Sequence, residues 1–185
     1  MKCVTYNIQY GVGRDGRFDL DRIVANLEGA DVIALQEVTR SFPRNGGCDM
    51  VAELAMRFPE CFYVYGAAMD LDPGARDDYG KPSNKRIQFG NMIISRWPIL
   101  SSRNLILPRT RSYDRGNLER SALEGLIITT LGPIRFYSVH LDHISHDERM
   151  MQISHLKQRV LAYPLEGGGL TGGAEFGLPE LPCPE

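Results

Sequence analysis

The sequence is short of several things, and each shortage closes off a class of function. Positive charge is not in surplus: 21 Lys and Arg stand against 23 Asp and Glu, a formal net charge of −2. No global field therefore draws the chain toward nucleic acid or an anionic membrane, and a polyanionic substrate has to be gripped locally. Cysteine is sparse and scattered, at Cys3, Cys48, Cys61 and Cys183, with no CxxC pair. That pattern excludes a disulfide scaffold and a zinc cluster, and reads as the reduced thiols of a cytoplasmic protein. No run reaches the roughly 18 apolar residues that span a bilayer. A basic stretch leading into an apolar one is also missing before the first β-like run at Lys2, in keeping with a cytoplasmic location and no transmembrane segment. Internal repeats at periods of roughly 20 to 50 residues are absent too. What is present, 185 residues of which 43% are hydrophobic, suffices for one globular domain with a real core.

Residues 2–8 (KCVTYNI) and 31–38 (DVIALQEV) are β-branched and apolar with turn formers at their ends, the pattern of buried strands. Between them Leu20, Ile23, Val24 and Leu27 fall at helical spacing, with Asp19 as N-cap and Gly29 where a left-handed C-terminal cap belongs. This predicts a strand, helix, strand unit with a parallel crossover. A short helix is expected over 49–58, then strands near 61–67, 90–95, 121–130 and 134–141. The interval 70–88, with Pro73, Gly74, Gly80, Pro82 and many charges, reads as a loop. The last element expected is a helix from Asp147 to Leu161, opened by a capping box at Ser145 and Glu148, with Ile153, Leu156 and Val160 packing on the sheet. The chain is thus divided into a domain over 1–163 and a Gly/Pro-rich loop or tail over 164–185, where periodicity ends.

In an α/β sheet, functional groups collect at the carboxyl ends of strands. Asn7 ends the first strand, Glu37 the second, and His140 closes IRFYSVH. A single carboxylate with an amide oxygen beside it suits Mg²⁺, which takes oxygen ligands and keeps several waters. The same residues taken one at a time read as caps or surface polar groups.

The pieces TYNIQ (5–9), LQEV (35–38), FGNMIISRWPI (89–99), LERSAL (118–123) and SVHLDH (138–143) occur in this order. Together they resemble the motif series of the endonuclease/exonuclease/phosphatase superfamily. The resemblance implies a DNase I-like α/β sandwich, two mixed sheets flanked by helices, with about two thirds of it present. It implies hydrolysis of phosphodiester or phosphomonoester bonds with Mg²⁺, or Mn²⁺ in its place. Glu37 and Asn7 are then the metal end of the site, Asn7 also an active-site polar group, His140 the histidine at the scissile phosphate, and Arg120 part of the phosphate-binding surface. Arg120 also reads simply as a strand-flanking residue. His143 and His146 read as loop or helix-start residues, His155 as a helix-face residue, and Asn91 is not counted in the site. The basic loops 73–86 and 109–120 read as solvated segments ahead of phosphate or base contacts.

The superfamily's later motifs, GDxN and SDH, do not occur. By the resemblance they supply the residues that orient and activate the attacking water, so the general base has no candidate here. Truncation, a naturally short protein and a half that pairs with a second chain all fit this gap, and the Pro-rich end favours truncation. A half-sandwich is expected to expose an apolar sheet face and to self-associate. The substrates implied are nucleic acid, a phospholipid headgroup or a small phosphodiester. The reading of a different class is an inactive binding or assembly module that keeps half of the site.

Overall fold

The computed structural model describes residues 1–114, 116–169 and 171. Seven strands and three α-helices follow in the order β1 (Cys3–Asn7), α1 (Leu20–Ala25), β2 (Val32–Arg40), α2 (Met50–Arg57), β3 (Phe62–Leu71), β4 (Ile87–Ser95), β5 (Ile99–Ile106), β6 (Ser121–Thr129), β7 (Gly132–His140) and α3 (His146–Glu166). They form a four-stranded sheet, β1-β2-β4-β3, and a three-stranded sheet, β5-β6-β7. β1 runs parallel to β2, as the strand, helix, strand pattern predicts, and the other neighbours are antiparallel.

β2 shows why the two faces of the larger sheet differ. Its alternate residues Ile33, Leu35 and Val38 join Leu20, Ile23 and Leu27 around α1 and Met50, Val51 and Leu54 of α2 in one buried cluster. Val32, on the opposite face, packs with Ile93, Leu123 and Ile127 between the sheets. The order of layers is therefore α1 and α2, larger sheet, smaller sheet, with α3 on the outer side of the smaller sheet. Polar groups also cross between the sheets: Gln36 Nε2 donates to Ser138 Oγ at 3.0 Å, and Ser138 Oγ donates to the Leu35 carbonyl at 2.9 Å. The sheets cover each other over much of their inner faces, but Cys3, Thr5 and Asn7 of β1 are exposed, and so is Phe62 of β3, in register with Ser95 and Val32.

The helix caps follow the sequence. Asp19 Oδ1 accepts from Arg22 N at 2.9 Å, and Asp49 accepts from Ala52 N at 3.1 Å, each satisfying an otherwise orphaned N–H. α1 stops at Ala25, earlier than its apolar spacing suggests, and Gly29 at φ 71° turns the chain beyond it. β5 was not expected from the sequence, because its segment ILSSRNLI buries only Leu105.

α3 departs from expectation in two ways. It runs to Glu166 through Pro164, past the expected end at Leu161, so residues 164–166 are helical. Of the rest of the expected tail, 170 and 172–185 lie outside the described residues. Of the residues expected to pack on the sheet, Leu156 and Val160 are half-buried, and the fully buried contacts are polar. Only Glu148 and Gln152 are buried, and Ile153, expected to face the sheet, is 44% exposed. Arg103, Glu124 and Tyr137 stand opposite one another across β5, β6 and β7, beneath the helix. Arg103 makes a forked pair with Glu124 at 2.8 and 2.9 Å, and Tyr137 Oη donates to Glu124 Oε2 at 2.5 Å. Burial alone would raise the Glu124 pKa, but Arg103 and Tyr137 outweigh it and hold it low. α3 is moored to this network: Arg135 Nη1 donates to the Val160 carbonyl at 3.2 Å, its guanidinium lies 3.8 Å from the Tyr163 ring centre, and Arg103 reaches Glu166 at 3.5 Å.

Candidate active site

The four residues singled out from the sequence, Asn7, Glu37, His140 and Arg120, meet at one rim of the sandwich. Asn7 is the last residue of β1 and pairs with Gln36, the neighbour of Glu37. Between Gln36 and Val38 the β2–β4 register shifts by a bulge, and the bulged residue is Glu37, at φ 63°. A side chain other than glycine in this left-handed region costs about 1–2 kcal/mol and persists where surrounding structure holds it. The bulge breaks the alternation of β2 and turns Glu37 to the rim, half-buried, where a regular strand would aim that position at the helices or at the inter-sheet core.

The Glu37 carboxylate is held on one oxygen only. Asn7 Nδ2 donates to Oε1 at 3.1 Å, and His140 Nε2 lies 3.7 Å from the same atom. Asn7 is fixed in turn, its Oδ1 accepting from Gln9 N at 3.0 Å. Its amide nitrogen and oxygen are thus both engaged, and it steadies Glu37 as a donor. Oε2 of Glu37 accepts no hydrogen bond among the described residues. No group of three or more His, Cys, Asp or Glu gathers as a metal cage among the described residues.

His140 ends β7 opposite Ser121, and its ring stacks on Phe89 at 6.1 Å. Arg120, immediately before β6, is 4% exposed. Its Nη1 lies 3.1 Å from both ring nitrogens of His140, and its Nη2 is 2.8 Å from His143 Nδ1. A guanidinium has donors only, so in a neutral His140 ring one of these two nitrogens accepts from Nη1 and the other carries the N–H. Burial, then the Arg120 charge, pushes the His140 pKa down to about 4. Burial also lowers the Arg120 pKa, against the opposing pull of Asp142, Glu37 and Glu148.

Two further polar groups belong to this cluster. His143, read from the sequence as a loop residue, clamps Arg120 from the side away from His140. Asp142 is buried, and for it burial is outweighed by the Ser145 and Ile144 N–H groups, which donate at 2.6 Å each and hold its pKa low. This Asp takes over half of the expected capping box. Ser145 Oγ still accepts from Glu148 N at 3.2 Å, but the Ser145 N–H goes to Asp142, and Glu148 accepts from Asn117 Nδ2. The signal that could have revealed both residues is the spacing H-x-D-H in 140–143, which carries four strand-end positions past the core. Asn91 is 1% exposed behind the site and donates to the Ser121 carbonyl at 2.8 Å, a structural bond between the sheets.

Comparisons with known proteins agree with this architecture. The chain is similar to an endonuclease/exonuclease/phosphatase from Beutenbergia cavernae, at 24% identity and a TM-score of 0.61, covering 84% of this chain and 43% of that one. It is similar to a family protein from Leptotrichia buccalis at 17% identity and a TM-score of 0.60, covering 86% and 61%. A third, from Bacteroides thetaiotaomicron, shares 17% identity at a TM-score of 0.54, covering 86% and 59%. The chain therefore spans between 43% and 61% of these solved relatives. No curated protein matches it. The two stacked sheets flanked by helices are the DNase I-like fold of these structures, and the model of the Endonuclease/Exonuclease/phosphatase family matches residues 4–167, so the chain belongs to that family.

Proposed function

We propose that this chain carries the metal-binding and phosphate-binding side of a divalent-metal-dependent phosphoester hydrolase. The observation that carries the reading is the bulge at Glu37, where backbone strain is retained in order to aim one carboxylate, with one free oxygen, at a rim shared with His140 and Arg120. Family membership supports the phosphoesterase class.

Glu37 would hold Mg²⁺, or Mn²⁺, as a single carboxylate, which suffices for an ion that keeps waters and takes substrate phosphate as a further ligand. Asn7 steadies Glu37 and lines the same edge. When bound, the ion supplies positive charge to a phosphate oxygen and to the charge that develops on it. His140, neutral and with one ring nitrogen committed to Arg120, is left one N–H to donate to a phosphate oxygen. Arg120 adds a fixed, desolvated positive charge behind it, which is worth more here than in water. None of these residues is suited to take a proton from water, since His140 is neutral but faces the phosphate side. The residue that does so is expected from the GDxN and SDH motifs that the sequence does not contain.

The acidic balance favours a small phosphodiester or a headgroup over long nucleic acid, whose binding draws on many basic contacts. A cytoplasmic location and self-association through the exposed sheet face go with this reading. The second reading, an inactive binding or assembly module, is favoured by Glu37 joining no group of three or more His, Cys, Asp or Glu among the described residues. Cleavage of a chromogenic phosphodiester with Mg²⁺ separates the two, with EDTA and Glu37→Ala as controls. Turnover that both controls abolish supports the hydrolase. If no metal gives turnover, while Mg²⁺ still raises the Tm of the parent and not of Glu37→Ala, the binding module stands instead.

A further inference from the structure

Beside Asn7 the rim opens into a cavity of about 640 Å³, walled by Tyr6, Asn7, Gly11, Arg14, Asp15 and Arg22. Its shape is fixed by the turn after β1. Gln9, Tyr10 and Gly11 follow one another at φ of 46, 43 and 82°, a left-handed run that side-chain-bearing residues keep only when braced. The braces come from the loop after β2, the strand that carries Glu37. Asn45 Nδ2 donates to the Tyr10 carbonyl at 3.2 Å, Phe42 packs on the Tyr10 ring at 5.6 Å, and Arg44 lies 5.8 Å over that ring. Cavity and metal end are thus held by one piece of structure.

The two arginines in the wall differ. Arg22 is committed to Asp15, donating to its two oxygens at 2.8 and 3.3 Å. Gly13 lies so close beneath this pair that a Cβ there would collide with Arg22 Nη2. Arg14, by contrast, is exposed and makes no hydrogen bond or ion pair among the described residues, so its guanidinium is free to meet a ligand entering from solvent. A preformed concavity of this size accommodates a group as large as a nucleotide. An uncommitted guanidinium in its wall offers a planar fork that matches phosphate.

We propose that this cavity is a second phosphate subsite, in which Arg14 binds a phosphate adjacent to the ester that is cut, so that the chain selects substrates bearing two neighbouring phosphates. The inference rests on reading the Asn7 and Glu37 rim as the place of cleavage. Arg14 is a specificity residue here, with no part in the reacting atoms.

The test is equilibrium binding of thymidine bisphosphate and thymidine monophosphate to the full chain and to Arg14→Ala and Arg14→Lys, by calorimetry at one fixed salt concentration. The parent is expected to prefer the bisphosphate. Arg14→Ala should lose about tenfold in bisphosphate affinity, the worth of one charge-assisted contact, with the monophosphate unchanged, and Arg14→Lys should recover part of the loss. Because Arg14 makes no hydrogen bond or ion pair among the described residues, its removal should leave the Tm where it was. A parent without preference, or an Arg14→Ala variant that keeps it, overturns the subsite. Failure of metal-dependent cleavage with the Arg14-dependent preference intact removes the hydrolase reading and leaves the subsite; the reverse result removes the subsite alone.

Discussion

Replacing Glu37 separates backbone strain from chemistry at a single position. In Glu37→Gly the left-handed cost of about 1–2 kcal/mol disappears, while glycine brings back about 0.5–1 kcal/mol of unfolded-state entropy. A net gain of about 0.5–1 kcal/mol over Glu37→Ala remains, because alanine keeps the φ of 63° and loses the same carboxylate. For a chain of this length each kcal/mol moves the Tm by about 2–4 °C, so Glu37→Gly should melt about 1–4 °C above Glu37→Ala. Both variants lose the bond from Asn7, so that loss cancels in the comparison. Scanning calorimetry with and without Mg²⁺ reads both effects. The parent should gain stability from the ion and neither variant should. If Glu37→Ala proves at least as stable as Glu37→Gly, the bulge is not strained as argued. If Glu37→Gly still gains stability from Mg²⁺, Glu37 does not hold the ion.

Three other outcomes are expected. Gly90→Ala should destabilise by on the order of 3 kcal/mol, because its Cβ would collide with the Gly66 carbonyl of the neighbouring strand and sit 2.8 Å from Ala67 Cα; a urea midpoint like that of the parent would contradict this. For His140, with its pKa lowered to about 4 from 6.5, the unfolded chain takes up the proton first as pH falls. The corresponding stability, on the order of 3 kcal/mol, is present above about pH 6.5 and is lost as pH falls toward 4; urea titrations across that window should show a flatter profile for His140→Gln, and an unchanged slope would refute it. Tyr137→Phe should cost about 1.5–3 kcal/mol, the worth of a hydrogen bond to a charged group, since it removes the donor to the buried Glu124; a thermal melt matching the parent would count against that bond.

Much of this was legible in the residues, and the exceptions share a cause. β1 and β2 read plainly because CVTYN and VIALQ are rich in β-branched and apolar residues with turn formers near their ends, and Asp19 announces its helix. The site could be read as four strand-end polar groups, since a strand's end is visible in its pattern. The bulge could not, because nothing in LQEV distinguishes an ordinary carboxylate from one at positive φ. His143 was hidden for a similar reason: its partner Arg120 is 23 residues away in the chain, and neither has a local pattern that names the other. β5 and the underside of α3 escaped because their contacts are made by Arg103, Arg135 and Tyr163, which local periodicity scores as surface.

That underside sets how the molecule comes apart. A helix that buries only Glu148 and Gln152 and is tied down by guanidinium groups answers to ionic strength, whereas the Leu and Ile cluster around α1 and α2 does not. Raised salt loosens α3 first, so its amide protons should exchange with solvent sooner than those of β2 or β4, as a separate cooperative unit. The rim residues His140 and Asp142 stand at the root of that unit, where β7 passes into α3. Salt and the geometry of the rim are therefore linked through a helix that touches neither Glu37 nor Asn7.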